Sequence, residues 1–299
     1  MVRKLRVAAA QLGGVGLKET RKHVINRHIG LLEEAAEHKV ELVSFPECSL
    51  TPFVFSYYRP SPTGVLDEKK RWSPKVDKYF EKSMPNASVQ PLFDKAKELN
   101  VGFTLGYAEL DGDKHYNTYI LVGGNGQIIG KYRKSHIGGT VEPVPGRTSQ
   151  YYEKRYFLFG DTGFPVWKAF GGVLGNTICY DRRWPETFRV LGLQGAELVF
   201  VPFATGEGPL AEFQHLLTMQ AGAYCNGFWV VSASHSGVEM DVQLMKGSAI
   251  INPQGEVVGK SSTTGDELVE ATIDLDAAKE RRAAIAWADR RTDIYKPIV

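Results

Sequence analysis

Eleven short runs rich in valine, isoleucine and aromatic residues punctuate the chain, at 5–12, 41–45, 101–109, 116–122, 127–133, 173–179, 198–203, 228–233, 248–251, 256–259 and 268–273. Runs of this length and make-up read as β-strands. Several are apolar throughout, the pattern of strands covered on both faces. Such strands need a layer on each side, and helical patterns between the runs supply it. Val24, Ile25, Ile29, Leu32, Ala35 and Ala36 recur at helical spacing, as do Val89, Leu92, Phe93, Ala96 and Leu99, for which Ser88 is the expected N-cap. A third stripe runs Leu210, Phe213, Leu217, Ala221 and Tyr224, and Cys225 at its end is expected to pack in the core. Helices interleaved with buried strands predict a layered α/β fold.

Two turns divide strands into hairpins: Asn125-Gly126 and Pro253-Gln254-Gly255. The second lies in an internal echo. Glu41-Leu42-Val43 leads to Pro46 as Glu197-Leu198-Val199 leads to Pro202, and the segment at 126–131 is answered by 255–260. The order is the same in both halves, which suits two quasi-equivalent halves building one core; it also suits hairpins that reuse the same turn chemistry. No Pro/Gly/Ser-rich linker divides the 299 residues, so a single domain over 1–299 is expected.

Composition removes several function classes. With 43% apolar and 23% charged residues, the chain is neither a coiled coil nor wholly disordered. A formal charge of +2 gives no electrostatic footprint for nucleic acid. The basic clusters Lys69-Lys70-Arg71, Arg281-Arg282 and Arg290-Arg291 have acidic neighbours and read as solvated faces. No run approaches the ~20 apolar residues that span a bilayer, and no cleavable signal is visible, so no membrane partner is expected. The three cysteines, Cys48, Cys179 and Cys225, include no Cys-x-x-Cys pair. Reduced thiols, no metal site and a cytoplasmic setting are expected.

Chemistry is best sought at strand ends, where α/β active sites collect. Cys179 closes the run at 173–179 and precedes Arg182, Arg183 and the helix-starting Pro185-Glu186. A helix start and two guanidiniums lower a thiol pKa, as a nucleophile requires; the same local sequence also suits a buried inert cysteine. Glu47 follows the buried run at 41–45 through Pro46, and burial raises a carboxyl toward the range of a general base. An ion pair or helix cap would use it equally. Lys134 ends the strand at 127–133, where an ammonium can steady an oxyanion or simply face water. None of the seven histidines falls in metal-ligand spacing, and a Cys–His dyad has no support in the sequence.

Phe45-Pro46-Glu47, Gly130-Lys131-Tyr132-Arg133-Lys134-Ser135-His136 and Ile178-Cys179-Tyr180-Asp181-Arg182-Arg183-Trp184-Pro185-Glu186 resemble the three signature segments of the nitrilase superfamily of carbon–nitrogen hydrolases. The resemblance extends from Ala10-Gln11 to Ile273-Asp274-Leu275. It implies an α-β-β-α sandwich with internal pseudo-symmetry, no cofactor, and a Glu-Lys-Cys triad. Carried over, Cys179 is the nucleophile, Glu47 the general base and Lys134 the oxyanion-stabilising cation. A fourth carboxylate maps onto Glu153, positioning substrate or Lys134, and the N–H of Tyr180 becomes a second oxyanion donor. Dimers and tetramers are implied, and the apolar segment at 283–299, with Ile285, Trp287, Ile294, Tyr295 and Ile298, suits packing on a partner or on its own core.

Within the superfamily the chain is most similar to N-carbamoyl-D-amino acid amidohydrolases. Glu153-Lys154-Arg155-Tyr156-Phe157, Gly163-Phe164-Pro165-Val166 and His215-Leu216-Leu217-Thr218-Met219-Gln220-Ala221-Gly222 carry that likeness, with the double arginine after Cys179. Arg182 and Arg183 suit bidentate binding of a substrate carboxylate, with Glu186 a competing partner for one of them. The chain departs from the subgroup at Tyr151, Tyr180 and Ala204, which the resemblance places at the amino-acid end of the pocket, and in a shorter loop at 204–209. Cys-Tyr-x-Arg also resembles β-ureidopropionases, and an ω-carboxyl amide would use the arginines as well. A ligand-sensing or scaffold protein on the same fold is the non-enzymatic alternative.

Overall fold

Residue parity along the strands sets the layers. In β1 (Lys4–Gly13), Val7 and Ala9 face one side and Ala8 and Ala10 the other, all fully buried. In β8 (Leu198–Phe200), Leu198 and Phe200 join the same cluster as Val7 and Ala9, while Val199 points away from it. That shared cluster is the contact between two sheets. Ala8 and Ala10 pack instead on α1 (Arg21–Glu37) and α2 (Gln90–Leu99), and Val199 on α4 (Pro185–Leu193) and α5 (Ala211–Asn226). The result is the α-β-β-α sandwich that the resemblance implies. This computed structural model describes residues 2–55, 76–141, 151–240, 242–285 and 287–296. The basic cluster at 69–71 and Ile298 lie outside them.

The first sheet runs β11 (Val242–Leu244), β10 (His235–Glu239), β1, β2 (Leu42–Ser44), β3 (Gly102–Asp111), β4 (Lys114–Val122), β5 (Ile128–Arg133), with β14 (Glu267–Asp274) antiparallel to β1. The second runs β13 (Val257–Lys260), β12 (Ala249–Ile251), β9 (Trp229–Ser232), β8, β7 (Gly172–Asn176), β6 (Val166–Ala169). Strands β1, β2 and β3 are parallel and β4 and β5 follow antiparallel. Strands β7, β8, β9, β12 and β13 repeat that scheme. Even the register shift recurs, at Leu121/Val122 and at Ile250/Ile251. The sequence echo therefore marks repeated architecture, since its segments are β2 with β8 and β5 with β13.

Three expectations change. Ser88 does not cap α2: the N-cap position is Val89, and no side chain caps it. The stripe Leu210, Phe213, Leu217, Tyr224 faces outward, at 50–63% exposure. The buried face of α5 is made instead by His215, Met219, Gly222 and Ala223. A Cβ on Gly222 would lie 2.7 Å from the ring of Phe188. Small residues let the helix lie close to its neighbours, and the bulkier apolar side chains are turned away. Cys225 goes with them and is exposed. The strands β6, β10 and β11 were not legible as runs. Of the C-terminal apolar residues, Ile294 and Tyr295 are exposed and Ile285 and Trp287 half-buried. Among the described residues no helix is long and apolar enough to cross a membrane.

One core histidine has a measurable consequence. His28 of α1 is fully buried, its Nδ1 2.8 Å from the Val24 carbonyl oxygen and its Nε2 3.0 Å from Ser49 Oγ. Burial holds its pKa down to about 4, against the Val24 hydrogen bond. The folded state excludes a proton that the unfolded chain takes up near pH 6.5. Stability from this group is therefore complete above about pH 6.5 and falls by roughly 3 kcal/mol on the way to pH 4. Urea midpoints at pH 7, 5 and 4 should show a shallower decline in His28→Gln than in the wild type; parallel declines would contradict the assignment.

Candidate active site

Each of the three triad candidates sits just past a strand end. Glu47 follows β2, where the chain bends across Gly106 of β3; a Cβ there would meet the Pro46 carbonyl oxygen at 2.4 Å and Glu47 Cα at 2.8 Å. Lys134 follows β5, its N–H bonded to the carbonyl of Asn117 on β4 (2.8 Å) and its own carbonyl accepting the N–H of Gly160 (2.8 Å). Cys179 opens a 3₁₀ turn, Cys179–Arg183, with φ at +46°. A non-glycine residue there costs on the order of 1–3 kcal/mol, which the surroundings must hold in place. The Cys179 N–H donates to the Pro202 carbonyl at 2.9 Å. Buried Asp181 fixes the turn further: Oδ2 accepts the Ile178 N–H (2.9 Å) and the Tyr132 hydroxyl (2.7 Å), and Oδ1 accepts the His136 N–H (2.9 Å). The Cys179 turn is thus tied to the segment that carries Lys134.

The side chains converge. Lys134 is fully buried and donates from Nζ to Glu47 Oε1 at 2.7 Å and to Glu153 Oε2. Glu153 starts the short helix α3 (Glu153–Tyr156). Asn117 Nδ2 donates to the same Glu47 Oε1 at 2.7 Å, while among the described residues Glu47 Oε2 accepts only the Ala204 N–H, at 3.1 Å. Oε1 is saturated and Oε2 keeps a lone pair for an incoming proton. Cys179 Sγ lies 3.9 Å from the Ala204 carbonyl oxygen and 3.8 Å from Thr205 Oγ1. Among the described residues no acceptor takes the Tyr180 N–H, so it remains available at the start of the turn.

The electrostatics correct one expectation. The Cys179 thiol is pushed up from its ordinary value, by burial first and by the Glu47 charge next; Lys134 and Arg182 oppose this without overcoming it. The sequence shows the cations but not the depth of burial, which decides the sign. Cys48, also buried behind the site, is raised further still, again chiefly by burial. Burial pulls the Lys134 ammonium down, but Glu153, Glu47 and Cys179 together hold it well above the usual lysine value. Glu153 is raised by burial and by Glu47, against Lys134. One cation therefore serves two buried carboxylates.

The remaining candidates separate. Arg182 is buried, with Nη1 donating to the Cys179 carbonyl at 2.7 Å and Nη2 to Thr205 Oγ1 at 3.2 Å. Arg183 is exposed, lies over the Tyr180 ring at 5.6 Å, and has no carboxylate partner among the described residues. Neither arginine pairs with Glu186, which had been the competing expectation. Tyr180 and Tyr151 line the pocket beside Cys179. Ala204 does not; it lies beneath it, its backbone holding Glu47. Sequence reasoning missed Asn117 and Thr205. Asn117 had a signal, a lone amide inside an apolar strand; Thr205 had none.

The carbon-nitrogen hydrolase family model matches residues 6–283. An N-carbamoylputrescine amidase of Solanum lycopersicum is 32% identical over 240 residues, covering 75% of this chain and 77% of that protein. An omega-amidase of Bos taurus is 30% identical over 298 residues, covering 97% and 96%. The solved structure of a carbon-nitrogen hydrolase from Helicobacter pylori G27 superposes with a TM-score of 0.80 at 24% identity, over 99% of this chain and 98% of that one.

Proposed function

The chain belongs to the carbon-nitrogen hydrolase family, and from that premise we propose that it hydrolyses an N-carbamoyl amino acid, of D configuration as the motif resemblance implies, to the amino acid, CO2 and ammonia. The observation that carries the carboxylate-bearing substrate is Arg183: an exposed guanidinium lining the pocket, without an acidic partner among the described residues. A tail carrying a cation, such as putrescine, would be repelled there, whereas a carboxylate gains charge-assisted hydrogen bonds.

Glu47 Oε2 takes the thiol proton as Cys179 Sγ attacks the ureido carbonyl. Lys134 and the Tyr180 N–H hold the oxyanion. The tetrahedral species collapses; Glu47 returns its proton to the amino acid nitrogen, which leaves, and an S-carbamoyl group stays on Cys179. Glu47 then takes a proton from water, whose oxygen displaces the thiolate; the thiolate regains its proton and the carbamic acid falls to CO2 and ammonia. The raised thiol pKa fits a concerted proton transfer better than a standing thiolate. Arg182, bonded to the Cys179 carbonyl, holds the turn and the Thr205 hydroxyl in place.

Product release from N-carbamoyl-D- and L-amino acids, N-carbamoyl-β-alanine, carbamoylputrescine and an ω-carboxyl amide tests this. The D-carbamoyl compounds should turn over best, and Arg183→Ala should lower kcat/KM for them by about 10- to 100-fold. Turnover of carbamoylputrescine alone, or no effect of Arg183→Ala, would overturn the carboxylate reading. A second reading, an ω-carboxyl amide or N-carbamoyl-β-alanine, draws on the same arginine and on the likeness to the omega-amidase; the panel distinguishes it.

A further inference from the structure

Past Phe200, the chain that forms β8 runs on alongside the Cys179 turn. The Pro202 carbonyl accepts the Cys179 N–H at 2.9 Å, and two residues on the Ala204 carbonyl oxygen lies 3.9 Å from Sγ. Between them Phe203 directs its N–H and carbonyl the other way, to Ala233 and His235, the alternation of extended chain. The next side chain is Thr205. Its Oγ1 lies 3.8 Å from the same sulfur, and it lines the pocket beside Cys179. The backbone that carries it is pinned on both sides. The Thr205 carbonyl accepts the Met245 N–H at 2.9 Å, and the Gly206 N–H donates to the Tyr151 hydroxyl at 3.2 Å.

Donors and acceptors decide which way the pair of side chains points. A thiol has one proton, and a threonine hydroxyl has one proton and two lone pairs. Arg182 Nη2 donates to Thr205 Oγ1 at 3.2 Å, so the hydroxyl proton turns away from the guanidinium. Among the described residues, the acceptor it then meets is Cys179 Sγ. The thiol proton has an acceptor of its own in the Ala204 carbonyl. Ala204 also gives its N–H to Glu47 Oε2, so the proton due to leave rests on the residue that binds the base. Thr205 is left as the donor to sulfur.

Charge gives that contact its purpose. In the proposed reaction sulfur becomes more negative twice, as it loses its proton in the attack and as it departs from the acyl carbon. Burial opposes negative charge on this sulfur. Lys134 is shared by two carboxylates, and Arg182 is bonded to a carbonyl and a hydroxyl rather than to Sγ. We propose that Thr205 is a further catalytic residue: its hydroxyl, oriented and polarised by Arg182, donates a hydrogen bond to the Cys179 sulfur and steadies the charge there in attack and departure. The proton stays on Oγ1 throughout, so Glu47 remains the base and no additional bond is made or broken. The contact is long in the resting enzyme, as catalytic hydrogen bonds often are, and shortens as the sulfur becomes charged. This role rests on Cys179 as the nucleophile and is independent of which carbon–nitrogen compound is the substrate.

Thr205→Val keeps the shape and removes the donor, whereas Thr205→Ser keeps the donor. Alkylation of Cys179 by iodoacetamide, read on its own peptide by mass spectrometry across a pH series, reports the thiolate without any substrate. The pH–rate profile should move about one to two units to the alkaline side in Thr205→Val, and stay within about half a unit of wild type in Thr205→Ser. On whichever compound of the panel turns over, kcat/KM should fall by about 10- to 100-fold in Thr205→Val and by less than about 5-fold in Thr205→Ser. An unmoved profile in Thr205→Val, or equal losses in the two variants, overturns the role of the hydroxyl and leaves the nucleophile in place. A fall in kcat/KM in Thr205→Val with the profile unmoved marks a hydroxyl that only braces Arg182, and overturns it too. A wild-type Cys179 that iodoacetamide leaves unmodified throughout the series overturns this proposal together with the nucleophile it rests on.

Discussion

Cys179→Ala should lose turnover by about 10⁴-fold or more while still binding substrate. The sulfur is the only atom in the scheme that bonds to substrate, and no neighbour can replace it: Thr205 Oγ1 lies 3.8 Å away but is engaged by Arg182. Alanine keeps the backbone of the turn, whose bonds to Pro202 and Asp181 do not involve the thiol. The variant should therefore unfold within about 1 kcal/mol of the wild type. Wild-type enzyme quenched during turnover should carry a carbamoyl adduct on the Cys179 peptide, and the variant none. Residual turnover near the wild-type rate, or an adduct on Cys48 or Cys225, would sink the nucleophile assignment.

The second large effect concerns charge. Lys134→Met removes the cation shared by Glu47 and Glu153, both buried beside it. Breaking a buried ion pair by deleting one partner costs about 3–5 kcal/mol, because the other charge is left without compensation. Turnover should also fall by about 10²- to 10³-fold, the usual loss of one oxyanion donor. The stability cost has a pH signature. Glu153 already holds its proton more tightly than an ordinary glutamate, through burial and the Glu47 charge. Without Lys134 protonation becomes easier still, so the deficit against wild type should shrink as pH falls from 7 to 5. Adding Glu153→Gln should restore part of the stability and none of the activity. Denaturation of the single and double variants at both pH values decides this; a single variant as stable as wild type at pH 7 would refute the shared-charge account.

The strand ends that carry Glu47, Lys134 and Cys179 were legible because strand runs, turn residues and motif context agree locally. So was a layered α/β fold, through helices interleaved with buried strands; the α-β-β-α sandwich itself came from the motif resemblance. What escaped depends on contacts distant in sequence. Asn117 bonds Glu47 across 70 positions and Ala204 across 157. The sign of the Cys179 shift depends on burial, which no spacing shows. The outward face of α5 escaped because a helical stripe is read by apolar size, while the packing there selects for smallness at Gly222 and Ala223. Ala204 was placed by analogy on the pocket wall, and its backbone instead binds Glu47 beneath the pocket.

The repeated frame has a consequence for how the reaction is shared between its halves. Each half ends its strands in matching places, yet only one set bears reactive side chains. The echo pairs Glu47 with Phe203 and Lys134 with Thr263, neither of which titrates. The frame offers two equivalent places, and the candidate triad occupies one of them. That site draws on both halves: carboxylate and ammonium from the first, sulfur and the N–H that steadies the carboxylate from the second. Neither half alone carries all of these groups, so the proposed reaction needs both.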